Sequence, residues 1–253
     1  MDRQKLYKIL NILLPISTLL LILIIYAIIS KAVGIDMLVP SVPSTIKELI
    51  GLFGKKSFYT AVFWTLLRAF IAYFSAIVVA GILAVLTYVF KPLKSAMSPI
   101  IILIRIMPTM SLILLALIWF DSFEATVLVA FSVVFPMLYT AFADALESVD
   151  NELIEMARIY EVDKKTKIFK LYLPQMSSGI FTGIRSSIGL NLKLIIAAEV
   201  LAQTADSMGI YMHFAKINLD TAELIAWTIV AILLGAFFEG IVKLIEKKVV
   251  KWK

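Results

Sequence analysis

From Ile9 to Ser30 the chain contains no charged residue. As a helix rising 1.5 Å per residue, such a run reaches across a hydrocarbon core of about 30 Å. It exceeds the ~7–15-residue apolar core of a cleavable signal, and no clear small-residue cleavage site follows, so it is expected to be retained as a first span. Further apolar runs predict six transmembrane helices, at roughly 10–32, 60–88, 97–119, 125–146, 175–202 and 222–244, the third interrupted by Arg105 and Pro108. With 61% hydrophobic and 17% charged residues and a mean hydropathy of +0.97, the chain has too little polar surface to cover a soluble globule. The expected fold class is an all-α membrane protein of one domain, without internal repeat or low-complexity tract.

Charge sets the orientation. With the N-terminus in the cytoplasm, the inner segments carry fifteen lysines and arginines and the outer ones five. The positive-inside rule therefore places both termini, including the basic tail after the sixth span, in the cytoplasm. The same rule explains the net charge of +6, so no nucleic-acid partner is expected. The segment Gly34–Lys56, with Pro40 and Pro43 and one amphipathic turn around 45–53, becomes an external connection.

The longest polar interruption, Leu146 to Pro174, then faces the cytoplasm as an elbow between the fourth and fifth spans. Asp150 is expected to cap a first short helix, with Glu152 in its positive first turn and Leu153, Met156, Ala157 and Tyr160 on one apolar face. Asp163 offers a second cap, before Ile168, Phe169 and Tyr172 flanked by lysines. Pro174 disfavours helical geometry in the preceding residue and is placed to begin the fifth span. Two short helices meeting at a bend are predicted.

Glu155, Ala157, Arg158, Leu173 and Pro174 fit a pattern that resembles the EAA loop of permease subunits in ATP-binding-cassette importers. Met156 replaces the first alanine of that pattern, and Glu161 stands where it has glycine. Thr65 to Arg68, Arg105 to Pro108 with Trp119 and Phe120, Phe135-Pro136, Ser148 to Glu152, Thr182 to Arg185, Lys193, Ala197 to Glu199, and Ser207 to Gly209 are similar to the nitrate, sulfonate and taurine branch. The resemblance covers about residues 60–245.

It implies a type I importer permease fold: an N-terminal helix and external loop over 1–57, and a permease core of five helices over 58–253 containing the coupling loop 146–174. It implies a multi-pass homodimer in a bacterial inner membrane, surrounded by lipid. Cytoplasmic ATPase subunits would grip a coupling helix through Glu155, Ala157, Arg158, Glu161, Leu173 and Pro174. An extracytoplasmic solute-binding protein would deliver a nitrate-, sulfonate-, taurine- or thiamine-pyrimidine-precursor-type solute. No cofactor is expected on this chain; ATP and Mg belong to the ATPase, and the permease itself is not expected to be an enzyme. At the glycine position, Glu161 must either adopt a positive φ at a cost or make a different bend.

Arg68, Arg105, Arg185, Lys193 and Glu199 fall inside predicted spans, where ionisable groups are costly and usually face a cavity, the bundle interior or a partner. Arg105, Lys193 and Glu199 are the candidates for a translocation pathway, and four cations against one anion suit an anionic or strongly polar solute. The structural alternative has Arg68 snorkelling or binding a carbonyl, Arg185 near the cytoplasmic interface, and Lys193 and Glu199 balancing charge. An ion-coupled secondary carrier, with Glu199 as its ion site and no ATPase, is the rival function.

Other motifs are weak. Gly51 to Lys55 is no phosphate-binding loop, because its two glycines are too close and neither Ser nor Thr follows the lysine. Without cysteine and with His213 as its one histidine, the chain offers no thiolate nucleophile and no histidine cluster. Gly179 and Gly183 have the spacing for close helix packing.

Overall fold

The computed structural model describes residues 3–250, with side chains described from residue 13 onward; the tail residues Lys251 and Lys253 of the sequence reading lie outside them. The described residues are helical and contain no strand. Two compact units emerge: Met1–Lys56 with Tyr211–Ile229, and Ser57–Ile210 with Val230–Lys253.

In the first unit, helix α1 (Arg3–Val33) turns at Gly34, whose φ of +66° suits a residue without Cβ. The chain then folds back on α1: the Tyr26 hydroxyl donates to the Pro40 carbonyl at 2.7 Å and Ser30 Oγ to the Val39 carbonyl at 3.2 Å. Ser41 caps α2 (Val42–Phe53), with Pro43 in its first turn where no N–H is needed. The amphipathic turn expected here is thus a full three-turn helix. Thr221 Oγ1 donates to the Met37 carbonyl at 2.9 Å, and Tyr211 stacks on the buried Trp227 at 5.4 Å.

The second unit begins with α3 (Lys56–Val89), followed by α4 (Lys91–Ile106), α5 (Thr109–Trp119) and α6 (Ser122–Glu147). Next come α7 (Asn151–Ile159), the short α8 (Lys164–Thr166), a π-helical stretch Lys167–Tyr172 and the long α9 (Leu173–Ala202). Helix α10 (Met208–Ile217) and helix α11 (Thr221–Val249) complete the chain. Helices α6 and α9 form the main pairing. A Cβ on Gly183 would stand 2.5 Å from Ala141 Cβ, and one on Gly179 would stand 2.8 Å from Ala145 Cβ. Small residues on both helices let the backbones meet, which is how apolar helices associate where lipid is as apolar as they are. Ala76, Ala80 and Ala84, a one-turn repeat on α3, join Leu138, Phe142 and Ala145 of α6 and Met176 of α9 in the core.

Among the described residues, four helices are long and apolar enough to cross a membrane on their own: Leu13–Val33, Lys56–Val89, Ser122–Glu147 and Thr221–Val249. The stretch expected as a third span is instead α4 and α5 meeting at 98°, which together make a fifth candidate. Pro108 accounts for the break, since its ring holds Met107 in an extended conformation with ψ of 128°. Helix α9, at 30 residues, is long enough, but its serines and the charges Arg185, Lys193 and Glu199 keep it out of the apolar group.

Candidate functional site

The intramembrane charges separate into two kinds. Arg68 and Glu199 form a buried pair, Nη1 to Oε1 at 2.7 Å, with the Glu199 side chain wholly enclosed. Thr65 Oγ1 donates to Glu199 Oε2 at 2.9 Å, and so does the Gly209 N–H at 3.2 Å. Arg68 Nη2 donates to the Ala205 carbonyl, its guanidinium lies 5.1 Å from the Phe123 ring, and the Met208 N–H donates to Thr65 Oγ1. The ions thereby tie α3 to the turn after α9, where Gln203 and Asp206 adopt positive φ. Gly209 is forced here: a Cβ would fall 2.4 Å from Glu199 Cβ. Three short motifs, the one around Arg68 more than a hundred residues from those around Glu199 and Gly209, are thus one clamp. Arg185 likewise has a carboxylate, Glu246, at 3.3 Å.

Arg105 belongs to the other kind. It ends α4 and donates through Nη2 to Thr140 Oγ1, which in turn donates to the Pro136 carbonyl. Among the described residues it has no ion-pair partner. It overhangs an open cleft of about 750 Å³ whose floor is the α6–α9 pair. Polar groups line both walls at four-residue spacing, hence on one face of each helix: Thr140, Asp144 and Ser148 on the α6 side, Ser178, Thr182 and Ser186 on α9. Of the residues expected on a pathway, Arg105 lines this cleft. Lys193 lies exposed two turns beyond Ser186 on α9, and Glu199 is in the clamp. Singling out charges overlooked these hydroxyl rows, although their four-residue period in apolar helices is visible in the sequence.

The elbow has its own geometry. Asp150 accepts from the Glu152 N–H at 2.9 Å and opens α7. At the other end the Val162 N–H reaches the Ala157 carbonyl at 3.0 Å and the Glu161 N–H the Arg158 carbonyl at 3.1 Å, a Schellman closure. Glu161, in the position where glycine is usual for such a closure, takes φ of +49°. Ala157 is buried at this turn. Glu155 and Arg158 are exposed and form no ion pair with each other. Met156, Ile159, Tyr160 and Phe169 are also exposed, the middle two by 77% and 76%. Asp163 Oδ2 accepts from the Thr166 N–H at 2.9 Å, and bonds from the Thr166 side chain and backbone hold its carboxyl below the usual range.

The predicted second short helix does not stand apart, and Pro174 does not force an extended residue before it. Leu173 is helical, with φ −56° and ψ −44°. The Leu173 N–H bonds to the Ile168 carbonyl, five residues back. This widened π turn makes room where the proline ring would crowd the carbonyl of an ordinary turn, so α8 runs through it into α9.

Comparison with known proteins places these features. A permease protein named for aliphatic sulfonates transport, SsuC of Bacillus subtilis (strain 168), is 29% identical over 83% of this chain and 75% of its own length. The taurine transport system permease protein TauC of Escherichia coli (strain K12) is 23% identical over 94% of this chain and 89% of its own. A solved structure described as an amino acid ABC transporter with histidines shares the fold, with a TM-score of 0.61 at 19% identity over 82% of this chain and 94% of that one. Residues 76–251, which include the cleft, the elbow and the Glu199–Gly209 side of the clamp, match the family described as binding-protein-dependent transport system inner membrane component, and to that family of membrane permeases this chain belongs.

Proposed function

We propose that the chain is the membrane subunit of an ATP-driven importer, and that the cleft between α4, α6 and α9 is part of its route for a small anionic or strongly polar solute. The observation that carries this reading is Arg105: it overhangs a cleft lined by hydroxyls and Asp144 and is ion-paired with none of the described residues, and an ionisable group of a span that faces a polar cleft marks a solute route. Lys193 continues the polar stripe of α9 and is assigned to the same route. Glu199, engaged by three donors and enclosed, is assigned to holding the turn to Gly209. Its full engagement also disfavours the ion-coupled carrier, which needs that carboxylate accessible.

The sulfonate and taurine relatives support solutes of those classes. In this reading six spans cross the membrane, α9 being the fifth and the α4–α5 pair the third, with both termini in the cytoplasm. Helix α7 is the coupling helix, presenting Glu155, Arg158, Ile159 and Tyr160 to a separate ATPase subunit that holds ATP and Mg. A second copy completes the pathway, lipid surrounds the dimer, and an extracytoplasmic binding protein delivers the solute. Co-purification and reconstituted uptake test this. Arg105→Gln is expected to assemble with the ATPase yet lose at least ten-fold in uptake. A chain that purifies with no nucleotide-binding partner, or uptake that persists without ATP, would end the proposal.

A further inference from the structure

Asp144 lies one helical turn from Thr140 on the cleft-facing side of α6, and Thr140 is the residue that holds Arg105. Side chains four apart on a helix are neighbours, about 5–6 Å between Cβ atoms. The carboxylate therefore stands one turn from the hydroxyl that holds the guanidinium, in the same cleft, yet Asp144 and Arg105 form no ion pair, and Asp144 pairs with no other cation among the described residues. The groups around it are Arg105 and Lys94 of α4, Ser148 after α6, and Ser178 and Thr182 of α9. Lys94 is already engaged by Glu147.

A cleft shaped for a simple anion gains nothing from this carboxylate, which repels the solute that Arg105 attracts. A cleft for a neutral polar solute needs neither ion, since its hydroxyls suffice. Two unpaired charges of opposite sign lining one cleft match a solute that carries both. Resting on the reading of the cleft as the solute route, we propose that Asp144 is a specificity-determining residue: the cleft takes a small zwitterion, its anionic group on Arg105 and Thr140 and its ammonium group on Asp144. Ser178 and Thr182 on the facing wall supply the remaining hydrogen bonds.

Taurine and ethanesulfonate test this as a matched pair, because they differ by one ammonium group. Binding of each radiolabelled probe is measured on the purified full-length chain, as wild type, Asp144→Asn, Asp144→Glu and Arg105→Gln, with monodispersity and thermal unfolding checked for each variant. Wild type is expected to bind taurine at least ten-fold more tightly than ethanesulfonate. Asp144→Asn should erase that preference by weakening taurine alone, Asp144→Glu should restore part of it, and Arg105→Gln should weaken both probes. Equal affinity of wild type for the two probes overturns the zwitterion assignment while leaving the cleft as an anion route, and so does an equal loss of both in Asp144→Asn. If Asp144→Asn does not fold, the wild-type preference and the Asp144→Glu variant decide. Failure of Arg105→Gln to weaken either probe, or binding of neither by wild type, overturns the cleft reading and the proposal with it.

Discussion

Arg68 and Arg105 are both arginines of the second unit, and the chain treats them oppositely. Arg68 is 4% exposed, set against Glu199, Ala205 and the face of Phe123, with its counter-charge also bonded by Thr65 and Gly209. Arg105 has a single hydroxyl partner and an open cleft. A buried charge locked to a counter-charge fixes structure, since removing one partner strands the other, whereas one without a counter-charge is available to something that comes and goes. The difference separates a buried clamp from a charge at an open cleft; Glu199→Ala tests it directly, and three further substitutions probe the packing and turns around it, in order of expected effect.

Glu199→Ala should be the most damaging, because it leaves Arg68 buried without its carboxylate. A loss of about 3–5 kcal/mol is expected for breaking such a pair, visible as lost folded yield or a collapsed unfolding temperature in detergent. Survival with normal stability and altered transport would transfer Glu199 to the solute route. Gly183→Val should come next: its Cβ would enter the space of Ala141, and overpacking of about 1–3 kcal/mol should appear as a lower unfolding temperature. Glu161→Gly should act the other way. It relieves the left-handed conformation at a gain of roughly 1 kcal/mol, which slower hydrogen exchange in α7 would report. The smallest effect is expected from Asp163→Asn. The depressed Asp163 carboxyl contributes its charged cap above the ordinary carboxylate range, and that contribution fades as pH falls through its folded value. Protection of the Thr166 amide should therefore decline on acidification in wild type and stay flat in the variant.

The caps and the elbow were legible because their causes are local. Asp150 and Asp163 announce helix starts, and Pro108 breaks its helix where the sequence places it. The glycine pair of α9 was likewise readable from spacing alone. What escaped was set by distant partners. Nothing near Glu199 says that Arg68 and Gly209 will meet it across more than a hundred residues in one case and ten in the other. The hydroxyl rows escaped because serine and threonine in a span also satisfy themselves on backbone carbonyls, as Thr182 does on Ser178. The unbroken passage through Pro174 escaped because a local rule for residues before proline was overridden by a change in helical pitch.

That passage has a mechanical consequence. Because helical hydrogen bonding continues through the π turn and past the proline, α8 and α9 run without a break in the helix from Lys164 to Ala202, roughly 55–60 Å of chain at helical rise. The Asp163 bend and the cleft-lining Ser178, Thr182 and Ser186 therefore belong to one continuous run of helix, so that a displacement at the elbow has a covalent, hydrogen-bonded route to the cleft wall.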